Sequence, residues 1–94
     1  RILPISQENL DYAAKARQEL EQAGIRAEVD ERNEKIGAKI RDAEVYKIPY
    51  MLIVGRRDEK AGTVSVRRHG EGDLGAMERP AFVEKVLAED RSRQ

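Results

Sequence analysis

The 94-residue chain has no cysteine and no tryptophan, one histidine, and no excess of either charge, with 18 Lys plus Arg against 18 Asp plus Glu. Without cysteine there is no disulfide framework, no thiol nucleophile and no thiolate metal site, and a lone imidazole cannot build a multi-histidine zinc centre. The reducing cytoplasm is the compartment this usage fits. The longest apolar run, Tyr50–Val54, falls far short of the roughly 20 residues a membrane helix needs. No signal-peptide pattern opens the chain, so a soluble protein with no membrane partner is expected. Net neutrality argues against an indiscriminate polyanion binder, including a DNA coat. Aromatic stacking surfaces are scarce: Tyr12, Tyr46, Tyr50 and Phe82 are the whole supply.

What is present is unevenly placed. Residues 7–31 carry seven acids against three bases. Residues 32–41 carry Arg32, Lys35, Lys39 and Arg41 against Glu34, and residues 56–68 carry Arg56, Arg57, Lys60, Arg67 and Arg68 against Asp58 and Glu59. If folding joins those two segments, a neutral chain acquires one basic face.

The length allows one domain over 1–94, and the abrupt apolar start without Met suggests a piece of a longer protein. Ile2, Leu3, Pro4 and Ile5 read as a first strand. Ser6 is a natural N-cap for a helix over 7–23 with Leu10, Ala13, Ala16 and Leu20 at helical spacing, ended by Gly24. Ile25, Ala27 and Val29 alternate with polar residues, the pattern of a half-buried strand over 25–30. A second helix is expected over 34–46 on the stripe Ile36, Ile40 and Ala43, blocked beyond by Pro49. Tyr50–Val54 then reads as a central strand, 55–62 as a charged loop, and Thr63–Arg68 as a strand with Val64 and Val66 inward and Thr63, Ser65 and Arg67 outward. A glycine-rich stretch at 69–75, a helix over 80–89 and a frayed tail at 90–94 complete the chain. The predicted class is α/β, three layers, with three parallel strands and a fourth antiparallel.

Three patterns could carry chemistry. Residues 70–75, Gly-Glu-Gly-Asp-Leu-Gly, spell G-x-G-x-x-G, but only 19 residues follow Gly75, too few for the remaining βαβ unit, and Glu71 and Asp73 repel a pyrophosphate. His69 and Ser65 can be written as part of a hydrolase, without an elbow or an oxyanion donor. A small nucleotide-binding enzyme or hydrolase on these residues is one alternative. The third pattern is Asn33, Lys35, Lys39, Arg41 and Lys47 along the second helix, with Asp58 in the loop and Arg67 on the outward face of a strand. Arg presents a planar fork to guanine, Asn and Asp accept from base donors, and Lys neutralises phosphates.

The run from Arg32 through Asn33, Glu34, Lys35, Ile36 and Gly37 to Lys39, Ile40 and Arg41, followed by Lys47, Ile48, Pro49 and Tyr50, closely resembles the C-terminal anticodon-binding domain of threonyl-tRNA synthetases. Gly62 to Arg68, Gly70 to Gly75 and the opening Leu3-Pro4-Ile5-Ser6 extend the resemblance over nearly the whole chain. It implies a three-layer α/β/α domain with a mixed five-stranded sheet and three helices, the fifth strand being short and near Asp73 and Leu74. It implies that Asn33, Arg41, Lys47, Asp58 and Arg67 face the anticodon bases of threonine tRNA, with Lys35 and Lys39 on the RNA backbone. Lys47 and Asp58 stand where relatives often have Arg and Glu. No catalytic or metal residue and no cofactor is implied within the chain. The parent ligase is implied to be a cytoplasmic homodimer whose separate catalytic domain uses ATP with magnesium and zinc. The second alternative is a duplicated domain of this kind that serves as a protein-interaction module without reading RNA. Gly37, inside a helix, is expected to mark close approach of RNA or of a neighbouring strand.

Overall fold

The computed structural model describes the backbone of residues 1–92 and side chains through residue 89. Its elements are β1 (Ile2–Pro4), a 3-10 turn (Gln7–Asn9), α1 (Leu10–Gln22), α2 (Ile36–Val45), β2 (Tyr50–Val54), α3 (Arg56–Ala61), β3 (Thr63–Arg68), β4 (Gly72–Glu78) and α4 (Arg79–Ser92). The strands form one mixed sheet in the order β1-β2-β3-β4, parallel between β1 and β2 and antiparallel thereafter.

Strand alternation divides the core into two faces. Ile2, Leu52, Val54, Val64 and Val66 meet Ala13, Ala16 and Leu20 of α1 and Phe82 of α4. Leu3 and Met51, with Ile53 beside them, meet Ile36, Ile40 and Ala43 of α2. Small alanines on α1 and α2 let the helices lie close to the sheet, and each large side chain buried between the layers contributes about 1.5–3 kcal/mol.

The sheet has four strands and the chain four α-helices, so the expected five strands and three helices are corrected in three places. First, 25–30 is not a strand. It makes a single bridge, Val29 to Ile2, held by Ile2 N–H to Glu28 O (2.7 Å) and Asp30 N–H to Ile2 O (2.9 Å). The next donor along that ladder falls at Pro4, which has no N–H. The Lys39 ammonium stands in, donating to Asp30 O (3.3 Å) and Pro4 O (3.0 Å). The alternation still describes the packing, since Ala27 is buried and Ile25 and Val29 lie against the α1 face of the core. Second, the expected loop at 55–62 contains α3, which ends at Gly62 in the left-handed conformation (φ 72°) with its N–H on Asp58 O (2.8 Å). Third, the last strand is not a short piece at 73–74 but the seven-residue β4, with a register shift opposite Val66 and Arg67. The glycine-rich stretch thus leads into a strand and not a phosphate loop. Helix α4 runs on through part of the expected tail, and residues 93 and 94 of that tail lie outside the described residues.

Candidate nucleic-acid interface

Helix α2 covers β1 and β2, and on the same face of β3 Asp58 of α3 lies against Thr63 and Ser65, so neither covers the Arg67 end. Directly opposite residues on antiparallel strands share a face, and Arg67 is opposite Met51 while Ser65 is opposite Ile53. Arg67, Ser65 and Thr63 are therefore on the α2 side of the sheet, flanked on β4 by the exposed Asp73, Ala76 and Glu78. The result is a shelf beside α2 with Arg67 on it.

The Arg67 guanidinium has no ion pair or hydrogen bond among the described residues, and its Nε is buried without a partner. Arg68 projects to the opposite face. There it lies over the Tyr50 ring at 5.3 Å and pairs with Glu89 at 3.4 Å, so it holds α4 and does not join the shelf.

The other expected site residues separate into two ends and an interior. Asn33 and Lys35 are exposed before and at the start of α2, Lys35 being its N-cap residue. Arg41 is exposed along the helix. Lys47 is exposed just past its end, in the left-handed region at φ 55°. The Lys47 N–H donates to Glu44 O (3.0 Å) and the Ile48 N–H to Ala43 O (2.9 Å), a helix ending that ordinarily takes glycine. Ten helical residues span about 15 Å, so Asn33 and Lys47 address different parts of a ligand. The Lys47 end is the Arg67 end: the His69 N–H at the end of β3 donates to Pro49 O at 2.9 Å.

Two of the expected contact residues are buried in this structure. Lys39, assigned to the RNA backbone, is only 1% exposed, and its ammonium closes the β1 ladder instead. Asp58 is buried at the start of α3, where it accepts from the Gly55 N–H (3.2 Å), the Thr63 hydroxyl (2.8 Å) and the Ser65 hydroxyl (3.3 Å). In this conformation it anchors α3 to β3, below the surface. Those bonds also place the Ser65 hydroxyl on Asp58, whereas His69 is exposed beyond the strand end, so no serine–histidine pair is assembled. Gly37 is exposed, and a Cβ there meets nothing within 4 Å, which removes a neighbouring strand as its explanation.

The basic segments read from the sequence are therefore smaller in space than in count. Arg32 and Lys39 are taken up by partners within the chain and Arg68 faces away, which leaves Lys35 and Arg41 of the first segment and Arg56, Arg57, Lys60 and Arg67 of the second, with Lys47 just past α2. The other flank of α2 carries an open groove of about 380 Å³ lined by Glu28, Asp30, Glu31 and Asp42 with Arg1 and Arg32. Its surplus of carboxylates disfavours phosphate there. The Arg32 fork beside Asp30 holds that carboxyl below the usual carboxylate range.

The anticodon binding domain family matches residues 1–89. The chain is similar to the threonine–tRNA ligase of Caldanaerobacter subterraneus subsp. tengcongensis, 52% identical over 95% of this chain and 14% of that protein. It is likewise 48% identical to a threonine–tRNA ligase of Thermus thermophilus, over 99% of this chain and 14% of that protein. The chain therefore spans about a seventh of the length of these curated relatives. Among solved structures, the RNA binding domain of threonyl-tRNA synthetase from Cryptosporidium parvum superposes with a TM-score of 0.87 at 22% identity, over 93% of this chain and 22% of the other. Prolyl-tRNA synthetase of the same organism superposes at 0.82 and 23% identity, over 93% of this chain and 19% of the other. These two likenesses bear on the fold alone.

Proposed function

The chain belongs to the anticodon binding domain family, and from that premise we propose that it is the part of a threonine–tRNA ligase that reads the anticodon of threonine tRNA. The observation that carries the reading is the Arg67 guanidinium, half-buried beside α2 and without a carboxylate partner among the described residues. A structural arginine is normally paired, as Arg32 and Arg68 are here; an unpaired fork suits a base edge or a phosphate. Asn33 offers both a donor and an acceptor to a base edge, and Arg41 and Lys47 supply charge and donors at other points along α2. Asp58 acts through the ordering of β3 beneath Arg67. On this reading the catalytic domain lies in the longer protein, a cytoplasmic homodimer, and threonine activation with ATP, magnesium and zinc belongs to that domain and not to these residues.

The test is binding of the 94-residue chain to threonine tRNA and to the same tRNA with an altered anticodon. A good bidentate base contact is worth about 1–3 kcal/mol of discrimination, so the altered tRNA should bind roughly tenfold or more weakly. Equal affinities overturn the reading and favour a protein-interaction module.

A further inference from the structure

Arg32 is the most heavily bonded cation among the described residues, and it immediately precedes Asn33. Its Nε and Nη2 fork onto the two oxygens of the Asp30 carboxylate at 2.9 and 2.7 Å, and its Nη1 donates to Asp42 Oδ2 of α2 at 2.8 Å. Its backbone N–H adds a bond to Asp30 Oδ1 at 3.2 Å. Asp30 is itself fixed: its side chain is 5% exposed, its N–H is bonded to β1 at Ile2 O, and its carbonyl accepts from the buried Lys39. Arg32 is thus a strut between the sheet edge and the outer side of α2, across the non-helical turn that carries Asn33. Asn33 is exposed and has no hydrogen bond of its own among the described residues, so the nearest fixed point of its backbone is Arg32.

We infer that Arg32 is a positioning residue for anticodon reading, holding Asn33 in a fixed pose without touching RNA itself. The inference rests on the proposed function for its RNA half and on geometry alone for its ordering half. With its charge balanced by two carboxylates, on the acidic flank of α2, Arg32 is a poor phosphate ligand. Its contribution is preorganisation: a side chain that must be ordered on binding loses affinity to that ordering.

Two readouts on the 94-residue chain test this. The first needs no RNA: the NMR backbone order parameter of Asn33, expected to fall in Arg32→Ala from a rigid value of about 0.85 toward about 0.6, with α1 and β2 unchanged. Arg32→Lys, which keeps the charge but not the fork, should restore order only in part. The second is discrimination between threonine tRNA and its anticodon-altered form, expected to drop several-fold in Arg32→Ala and to drop no further when Asn33→Ala is already present. An unchanged order parameter at Asn33 overturns the positioning role by itself. Losses that multiply in the double variant also overturn it, since they mean Arg32 acts independently of Asn33. If Asn33→Ala alone leaves discrimination intact, Asn33 is not a reader and the RNA half of this inference falls, while anticodon reading through Arg67 stands. Should Arg32→Ala fail to fold, Asp42→Asn weakens only the outer arm of the strut and is read by the same two measurements.

Discussion

Met51 and Arg67 stand directly opposite each other on β2 and β3, yet Met51 is fully buried under α2, while Arg67 is only half-buried and keeps a guanidinium without a protein partner among the described residues. The edge of α2 therefore falls between a core position and the proposed recognition position on one sheet face. The consequence is a separation of stability from binding at Arg67. Arg67→Met keeps the length of the stem and removes an unpaired charge, so thermal stability should stay within about 0.5 kcal/mol. Threonine-tRNA affinity should fall roughly 5- to 150-fold, the equivalent of about 1–3 kcal/mol. Calorimetry and a filter-binding titration on the same preparation check both halves, and a large loss of stability without a loss of affinity refutes the assignment.

Asp58 should behave in the opposite way. It is buried and accepts from one backbone N–H and two hydroxyls. Asp58→Ala leaves those donors unsatisfied at a cost of about 2–3 kcal/mol. For a chain of this size that lowers the melting temperature by roughly 10–20 °C. The loss should appear in the free protein by thermal denaturation. A variant as stable as the parent would mean that Asp58 is not the anchor of α3.

The two ends of α2 each carry a residue that costs helix stability. Gly37 sits in open space in the first turn, where alanine is favoured by up to about 1 kcal/mol. Lys47 occupies the left-handed position that glycine takes at about 1 kcal/mol less strain. Gly37→Ala and Lys47→Gly should each raise the denaturant midpoint, and each should weaken tRNA binding, the first by crowding the RNA and the second by removing a cation. Stabilisation without any loss of affinity would show that these positions are not at the interface.

How far the sequence carried depended on whether a pattern is local. Apolar spacing located α1, α2, β2 and β3, because a stripe or an alternation is visible whatever it packs against. The alternation at 25–30 did identify the inward residues, but the ladder it would have joined is stopped by Pro4, twenty-odd residues away in the chain. Helix α3 was hidden by its charge, although Gly55 and Gly62 bracket it and Asp58 occupies a first-turn capping position. At the site, residue type alone could not separate Arg67, which has no partner among the described residues, from Arg32, whose carboxylates lie two and ten residues away, or from Lys39 and Arg68, whose partners include more distant residues. The one available signal was parity on β3, which puts Arg67 and Arg68 on opposite faces.

At the same end of β3, on the opposite face of the sheet, Tyr50 offers a test of how α4 is held. Tyr50 meets Phe82 edge-on with ring centres 5.4 Å apart, and its hydroxyl donates to the Glu89 carboxylate, with 2.6 and 2.7 Å to the two oxygens. Burial, then the hydrogen bond and negative charge of Glu89, push the Tyr50 hydroxyl up to about 12. Since the unfolded value is near 10, the unfolded chain releases this proton first. The stabilisation is complete below about pH 10 and is lost as pH rises toward about 12. Tyr50→Phe removes the hydroxyl but keeps the ring contact, so at about pH 8 it should be less stable by about 1 kcal/mol. Tyr12 is also raised by burial but is common to both proteins. The stability gap between parent and variant should therefore close by about pH 11.5, measured by chemical denaturation at the two pH values. Parallel alkaline losses would mean that Tyr50 ionisation does not control the docking of α4.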